Sequence, residues 1–295
     1  MNDAAEPADH ADDHAADPLA ADLALAIELA ELADAISLSH FRAVDLEVRT
    51  KPDRSPVTEA DLAVERAIVE RIAEARPGDG VFGEEFGISG DAQRQWIIDP
   101  IDGTANFLRG VPVWATLIAL AVDGEPVVGV VSAPAMQRRW WAARGRGAWT
   151  TESAAEAGAS GRADAGSGDE RAPRRLRVSA VDALEHASLS FNSLAQWRDA
   201  GRLGRLLGLA ERVWRDRAYG DMWSYMLLAE GLIDVAGEFG VKRYDVAALV
   251  PVIEEAGGRW SDVHGGRDLD DGSSIATNGA LHGLVLDAVG DPDEA

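Results

Sequence analysis

The segment Trp96–Phe107, "WIIDPIDGTANF", ends a short apolar run in two aspartates three positions apart, with Pro100 and Gly103 beside them. Two carboxylates about 4 Å apart repel by roughly 1 to 4 kcal/mol, depending on the effective dielectric. A chain tolerates that at the mouth of its core where something positive sits between the charges. Oxygen donors without His or Cys suit a hard cation such as Mg2+. Gly103 and Thr104 follow directly, and their backbone N–H groups could meet an anion if a helix starts there. The ordinary structural alternative is a turn in which Asp shapes the loop and caps a helix.

Three other acidic stretches bear on that choice. Glu84 and Glu85 stand at a strand end in "GEEFG", Asp245 opens a helix in "YDVAAL", and Asp61 lies near a helix start in "PVTEADLAVE". Each has a structural alternative. Asp61 suits a capping box with Thr58, Asp245 suits a helix N-cap, and a Glu pair suits a solvated corner.

The elements that must carry these residues follow from periodicity and turn chemistry. Leu and Ala recur at helical spacing from Leu19 to about Phe41, and residues 57–75 give a second helix after Pro56. "GVFGEEFG" and "RQWIIDP" are short strands. "WATLIALAVDGEPVVGVVSAPA" is a hairpin turning at Asp123-Gly124, and "RRWWAARGRGAW" continues the sheet. Strands are expected near 176–179, 187–191, "LIDVAGE", "GRWSDV" and "SIATN". Helices are expected near 193–209, 220–231, from Asp245, and over 279–289. The pattern predicts a layered α+β protein with an antiparallel first sheet and a mixed second one. Residues 1–18 carry six acidic side chains and no basic one, which predicts a disordered tail. His10 and His14 sit there at i,i+4, with nothing around them to fix a metal geometry. Residues 151–174, rich in Ala, Gly, Ser and Asp, predict a flexible insertion. The remainder divides into an N-terminal α+β part, 19–175, holding most of the candidate ligands, and a C-terminal α/β part, 176–295.

Bulk properties exclude several classes. A net charge of -23 over 295 residues disfavours nucleic acid and anionic lipid as main partners. No run of 18 apolar residues occurs, so no membrane span is expected. Zero cysteines rule out disulfides and thiolate chemistry and suit a cytoplasmic protein.

As an ordered set, K-x(4)-PVT-x-AD, GEE, WIIDPIDGT-x-NF and YD-x-A-A-L resemble the inositol monophosphatase family of Mg2+-dependent phosphatases over about residues 20–290. "RPGDGVFGEEFG", "FLRGVPVWATLIAL", "VVSAPAMQRRWWAARGRGA" and "SLSFNSL" followed by Trp197 resemble its histidinol-phosphate phosphatase branch. The resemblance implies the αβαβα sandwich shared with fructose-1,6-bisphosphatase. It makes Glu84, Asp99 and the Ile101 carbonyl ligands of one Mg2+, and Asp99, Asp102 and Asp245 ligands of a second. A third, weaker ion would lie near Glu84, with Asp61 bonded to its waters. Hydrolysis would be direct, by a water that Glu84 and Thr104, the latter linked to Asp61, position and deprotonate. Asp102, Gly103 and Thr104 would hold phosphate, with Lys51 tuning its affinity, while Glu238 and Asp221 would face the leaving group. Tyr244 and Ala105 depart from the common pattern without removing a ligand. Li+ inhibition and a homodimer are further implications. The expected reaction is L-histidinol phosphate to L-histidinol and phosphate. An inositol-1-phosphatase or broad sugar-phosphate phosphatase is the alternative within the same chemistry, and a scaffold protein using this fold is the alternative outside it.

Overall fold

The structure, a computed structural model, describes residues 18–44, 46–50, 56–90, 93–151 and 173–290. The acidic tail up to residue 17 and most of the expected insertion (152–172) lie outside the described residues, as do His10, His14 and Lys51.

The chain opens with helix α1, Pro18–His40, whose Leu25, Leu29, Ala30 and Ala33 are buried. A small ladder follows, β1 (Val48–Thr50) against β2 (Pro56–Thr58). Helix α2 spans Glu59–Ala75, so the expected helix over 57–75 begins two residues later. Thr58 stays extended at φ -110° because its side chain caps the Ala60 and Asp61 N–H groups.

The first sheet has eight strands: β3 (Gly80–Gly83), β4 (Gly87–Ser89), β5 (Arg94–Asp102), β6 (Ala115–Val122), β7 (Glu125–Ala133), β8 (Arg138–Ala143), β9 (Ala148–Thr150) and β10 (Arg174–Arg175). Their order is β10-β9-β8-β7-β6-β5-β3-β4. All neighbours are antiparallel except β3 and β5, which run parallel, a departure from the all-antiparallel expectation. The β6–β7 hairpin turns at Asp123 (φ 53°) and Gly124 (φ 83°), the doubly left-handed turn that matches strand twist. Helix α3, Thr104–Arg109, leaves β5 directly after Gly103.

The second sheet comprises β11 (Ser188–Ser190), β12 (Arg215–Arg217), β13 (Val235–Phe239), β14 (Arg259–Ser261) and β15 (Ser273–Thr277), in the order β12-β11-β13-β15-β14. It is mixed, as its sequence suggested: β11 is parallel to β12 and β13, while β15 is antiparallel to β13 and β14. Its helices are α4 (Leu194–Asp199), α5 (Leu203–Ala210), α6 (Asp221–Ala229), α7 (Arg243–Val246), α8 (Leu249–Glu255) and α9 (His282–Val289). The single helix expected over 193–209 is thus two, broken at Gly201, where φ is 72°. The helix expected from Asp245 starts at Arg243 and restarts at Leu249. The strand expected over 176–179 does not form, and the ladder closes two residues earlier at Arg174–Arg175.

These elements stack in five layers. Helices α1 and α2 cover one face of the first sheet; α6 and α8 lie between the sheets; α4, α5 and α9 cover the outer face of the second. The largest apolar cluster fills the middle, with Ile97, Leu117, Val131 and Trp140 from the first sheet meeting Met226, Leu249, Val252 and Ile253 from the helices. Layers of this kind bury the apolar face of every sheet and leave strand ends at the rim, where loops can carry chemistry. No helix among the described residues is long and apolar enough to cross a membrane.

Candidate active site

In a regular strand, residues three apart point to opposite faces. Asp99 and Asp102 escape that rule because β5 bulges between them. Asp99 pairs with Leu117 and Asp102 with Ala115, so three steps on β5 oppose two on β6. Pro100 and Ile101 occupy the bulge, held by the Thr116 hydroxyl donating to the Pro100 carbonyl (2.8 Å) and the Ile101 N–H donating to Asp99 Oδ1 (3.0 Å). Both carboxylates therefore reach one place.

Two further elements bring acids there. Asp245, in the first turn of α7, offers a carboxylate oxygen so close that the three ligand atoms of Asp99, Asp102 and Asp245 lie within 4.8 Å of one another. Its Oδ2 accepts the Lys242 N–H at 2.6 Å. Glu84 follows β3, whose parallel pairing sets Gly83 beside Ile98, and its N–H extends the ladder to the Ile98 carbonyl at 3.2 Å.

The electrostatics report the crowding. Burial pushes the Asp99 carboxyl well above its usual range, and Glu84, Asp102, Asp245 and Asp61 push it further. Burial also raises Asp102, together with Asp221 and Asp245, against the opposing Met222 N–H. Asp245 is pushed up to about 7 by burial, with Glu84 adding and the Lys242 N–H opposing.

Asp61 forms the capping box: its Oδ2 accepts the Thr58 N–H at 2.7 Å and the Thr58 hydroxyl at 2.6 Å. Its buried Oδ1 has no hydrogen-bond partner among the described residues. The Thr104 hydroxyl donates to the Ile101 carbonyl at 3.0 Å, so the expected Thr104–Asp61 link is replaced by two separate local bonds. An oxygen-only donor set, mutually repelling carboxylates and an orphaned Asp61 oxygen fit a hard divalent cation.

Beside the acids lies a cavity of about 130 Å³ lined by Asp102, Asp245, Asp221, Glu238, Asn192 and Gln196 among others. Two of its walls, Asn192 (φ 53°) and Asp221 (φ 47°), hold left-handed backbone, a conformation Asn and Asp tolerate and that clusters at functional sites. Asp221 accepts from the Asn106 amide at 2.8 Å, and burial raises its carboxyl. Glu238 is 6% exposed and pushed up to about 7 by burial, against hydrogen bonds from Tyr225 (2.8 Å) and the Asn192 amide. A relay fixes it: Trp260 Nε1 donates to Ser274 Oγ, and Ser274 Oγ lies 2.8 Å from the Tyr225 hydroxyl. The buried Oε1 of Gln196 has no partner among the described residues.

The expected residues Glu84, Asp99, Asp102 and Asp245 gather at the strand ends, with Ile101, Gly103 and Thr104 on the connecting turn. Sequence reasoning did not single out Asn106, Asn192, Gln196 or Tyr225. Asn192 at least stood inside the "SLSFNSL" run, whereas Tyr225 sits in an apolar helix that carries no local signal.

Comparison with known proteins places the chain among relatives. The model of the inositol monophosphatase family matches residues 19–292. A protein from Mycobacterium tuberculosis named histidinol-phosphatase is 53% identical over 90% of this chain and 96% of its own length. One of the same name from Streptomyces coelicolor is 47% identical over 90% of this chain and 95% of its own. The solved inositol monophosphatase of Zymomonas mobilis superposes with a TM-score of 0.77 at 32% identity, covering 92% of this chain and 99% of that one.

Proposed function

The chain belongs to the inositol monophosphatase family, and from that membership we propose that it is an Mg2+-dependent phosphomonoesterase converting L-histidinol phosphate to L-histidinol and phosphate. The observation that carries the reading is the continuity of two acidic features: the Asp99–Asp102–Asp245 cluster opens into a pocket whose walls include Asp221 and Glu238. An anionic pocket suits a leaving group that carries an ammonium, as histidinol does, better than an uncharged polyol. The names of the two bacterial relatives support the same substrate.

Glu84, Asp99 and the Ile101 carbonyl hold one ion in this reading, and Asp99, Asp102 and Asp245 hold another. Bound Mg2+ lowers the pKa of water and offsets the charge of phosphate. Thr104 donates its hydroxyl hydrogen to Ile101, so its oxygen lone pairs are available to accept from the attacking water. Glu84 takes the proton as the ester P–O bond breaks, and the departing oxygen takes up a proton from solvent water. Gly103 and Thr104 turn their N–H groups toward the phosphate oxygens. Glu238, held by Tyr225 and Asn192, and Asp221, held by Asn106, orient the leaving alcohol. A cationic leaving group beside Glu238 also favours its ionised form.

A phosphate-release panel tests this. Histidinol phosphate, inositol 1-phosphate and fructose 1,6-bisphosphate are compared with and without Mg2+. The highest kcat/KM is expected for histidinol phosphate with Mg2+. A higher value for inositol 1-phosphate would reassign the substrate, and full activity after exhaustive chelation would remove the metal.

A further inference from the structure

Helix α2 carries a second buried acid, four residues after Asp61. Glu65 is 0% exposed and lies on the face that Val64, Ile68 and Ile72 bury against the first sheet. Packing alone would fill such a position with an aliphatic side chain, because a carboxylate removed from water costs several kcal/mol unless donors replace the solvent. The donors here are specific. Glu65 Oε2 accepts the Glu85 N–H and Oε1 accepts the Phe86 N–H, each at 2.8 Å. These are the two peptide groups that follow Glu84.

Gly83, on the other side of Glu84, completes the contact. A Cβ there would fall 1.9 Å from Glu65 Oε1, so only glycine lets the carboxylate pass beneath the turn. Residues 83 to 86 thus wrap the Glu65 carboxyl group, and within that turn stands Glu84, whose charge raises the carboxyls of Asp99, Asp61 and Asp245. We infer that Glu65 is a positioning residue that clamps the 83–86 turn and thereby aims the Glu84 carboxylate at the cation site. The inference rests on the reading of Glu84 as an Mg2+ ligand.

The full chain is compared with Glu65→Gln, which keeps size but offers an N–H2 group to one N–H donor, and Glu65→Asp, which keeps charge but withdraws it by one methylene. The readouts are calorimetric Mg2+ titration, the rise of Tm with Mg2+, and Tm in EDTA. Both variants are expected to fold and to need about tenfold more Mg2+ for half-saturation, the lower end of the loss typical for groups that orient metal ligands. Unchanged Mg2+ half-saturation with a lowered Tm in EDTA would overturn the inference and leave Glu65 a purely structural group. Failure of both variants to fold would overturn it too. If the unmodified protein shows no Mg2+ response, the metal reading itself fails, an outcome distinct from variants that match a responsive parent.

Discussion

Asp102 accepts the backbone N–H of Met222 at 2.7 Å, joining the end of β5 to the first turn of α6. One candidate ligand therefore also satisfies a helix N-terminal donor, and its charge is favourably placed against the helix dipole. Substitutions should separate the two roles. Asp102→Ala is expected to lower stability by about 1–3 kcal/mol, the cost of stranding a buried donor, and to abolish hydrolysis. Asp102→Asn keeps an acceptor, so its Tm in EDTA should match or exceed that of the parent while kcat/KM still collapses.

Four like charges, those of Glu84, Asp102, Asp245 and Asp61, push the Asp99 carboxyl up. Asp99→Asn should therefore raise the Tm of the metal-free protein and reduce kcat by at least about a hundredfold, the stability–activity trade expected of a strained site. A scaffold protein would show the first effect and have no activity to lose. Parallel denaturation and phosphate-release assays distinguish the cases.

Chelation should abolish activity, and added Mg2+ should restore it and raise Tm, because a ligand that binds only the folded state stabilises it by mass action. Li+ should inhibit. Retention of more than about a tenth of the activity in excess EDTA is the contrary outcome.

Glu238 supplies a pH dependence. Its carboxyl moves from 4.5 to about 7 on folding, chiefly through burial. The folded state therefore holds the proton longer than the unfolded chain. The contribution to stability is fully present below about pH 4.5 and is lost as pH rises through about 7. In EDTA, the fall of Tm across that window should be shallower for Glu238→Gln than for the parent. On substrates, the same variant should raise KM for histidinol phosphate more than for inositol 1-phosphate.

Away from the site, Glu230 binds Arg138 at 2.7 Å, Trp140 Nε1 at 2.7 Å and Arg174 at 2.8 Å, and the Arg138 and Glu230 side chains are almost wholly buried. Removing one partner of a buried pair leaves an uncompensated charge. Glu230→Ala should therefore cost about 3–5 kcal/mol in chemical denaturation, with no change in Mg2+ half-saturation for the folded fraction.

Much of the architecture was legible in local chemistry. Asp123-Gly124 marks its hairpin because few residues accept two left-handed conformations in succession, and Thr58 with Asp61 marks its helix start because only oxygen side chains cap N–H groups. Boundaries were less legible where a tertiary partner decides them. Arg174–Arg175 pairs with β9 only because the far end of a long connection returns to that edge. Gly201 breaks 193–209 through a single backbone angle.

The acidic motifs drew attention to Asp61, Glu84, Glu85, Asp99, Asp102 and Asp245 by type and spacing, and it was the family resemblance that marked Glu84, Asp99, Asp102 and Asp245 among them as ligands. What they could not carry is convergence. The β5 bulge puts Asp99 and Asp102 on one side, α7 brings Asp245 to them, and Glu65 reaches under the turn that bears Glu84. Asn192 and Gln196 reach the pocket wall, and Tyr225 reaches Glu238 behind it, only after two sheets have stacked with helices between them. A contact between residues far apart in the chain leaves no period or spacing in the sequence, so only the folded arrangement decides it.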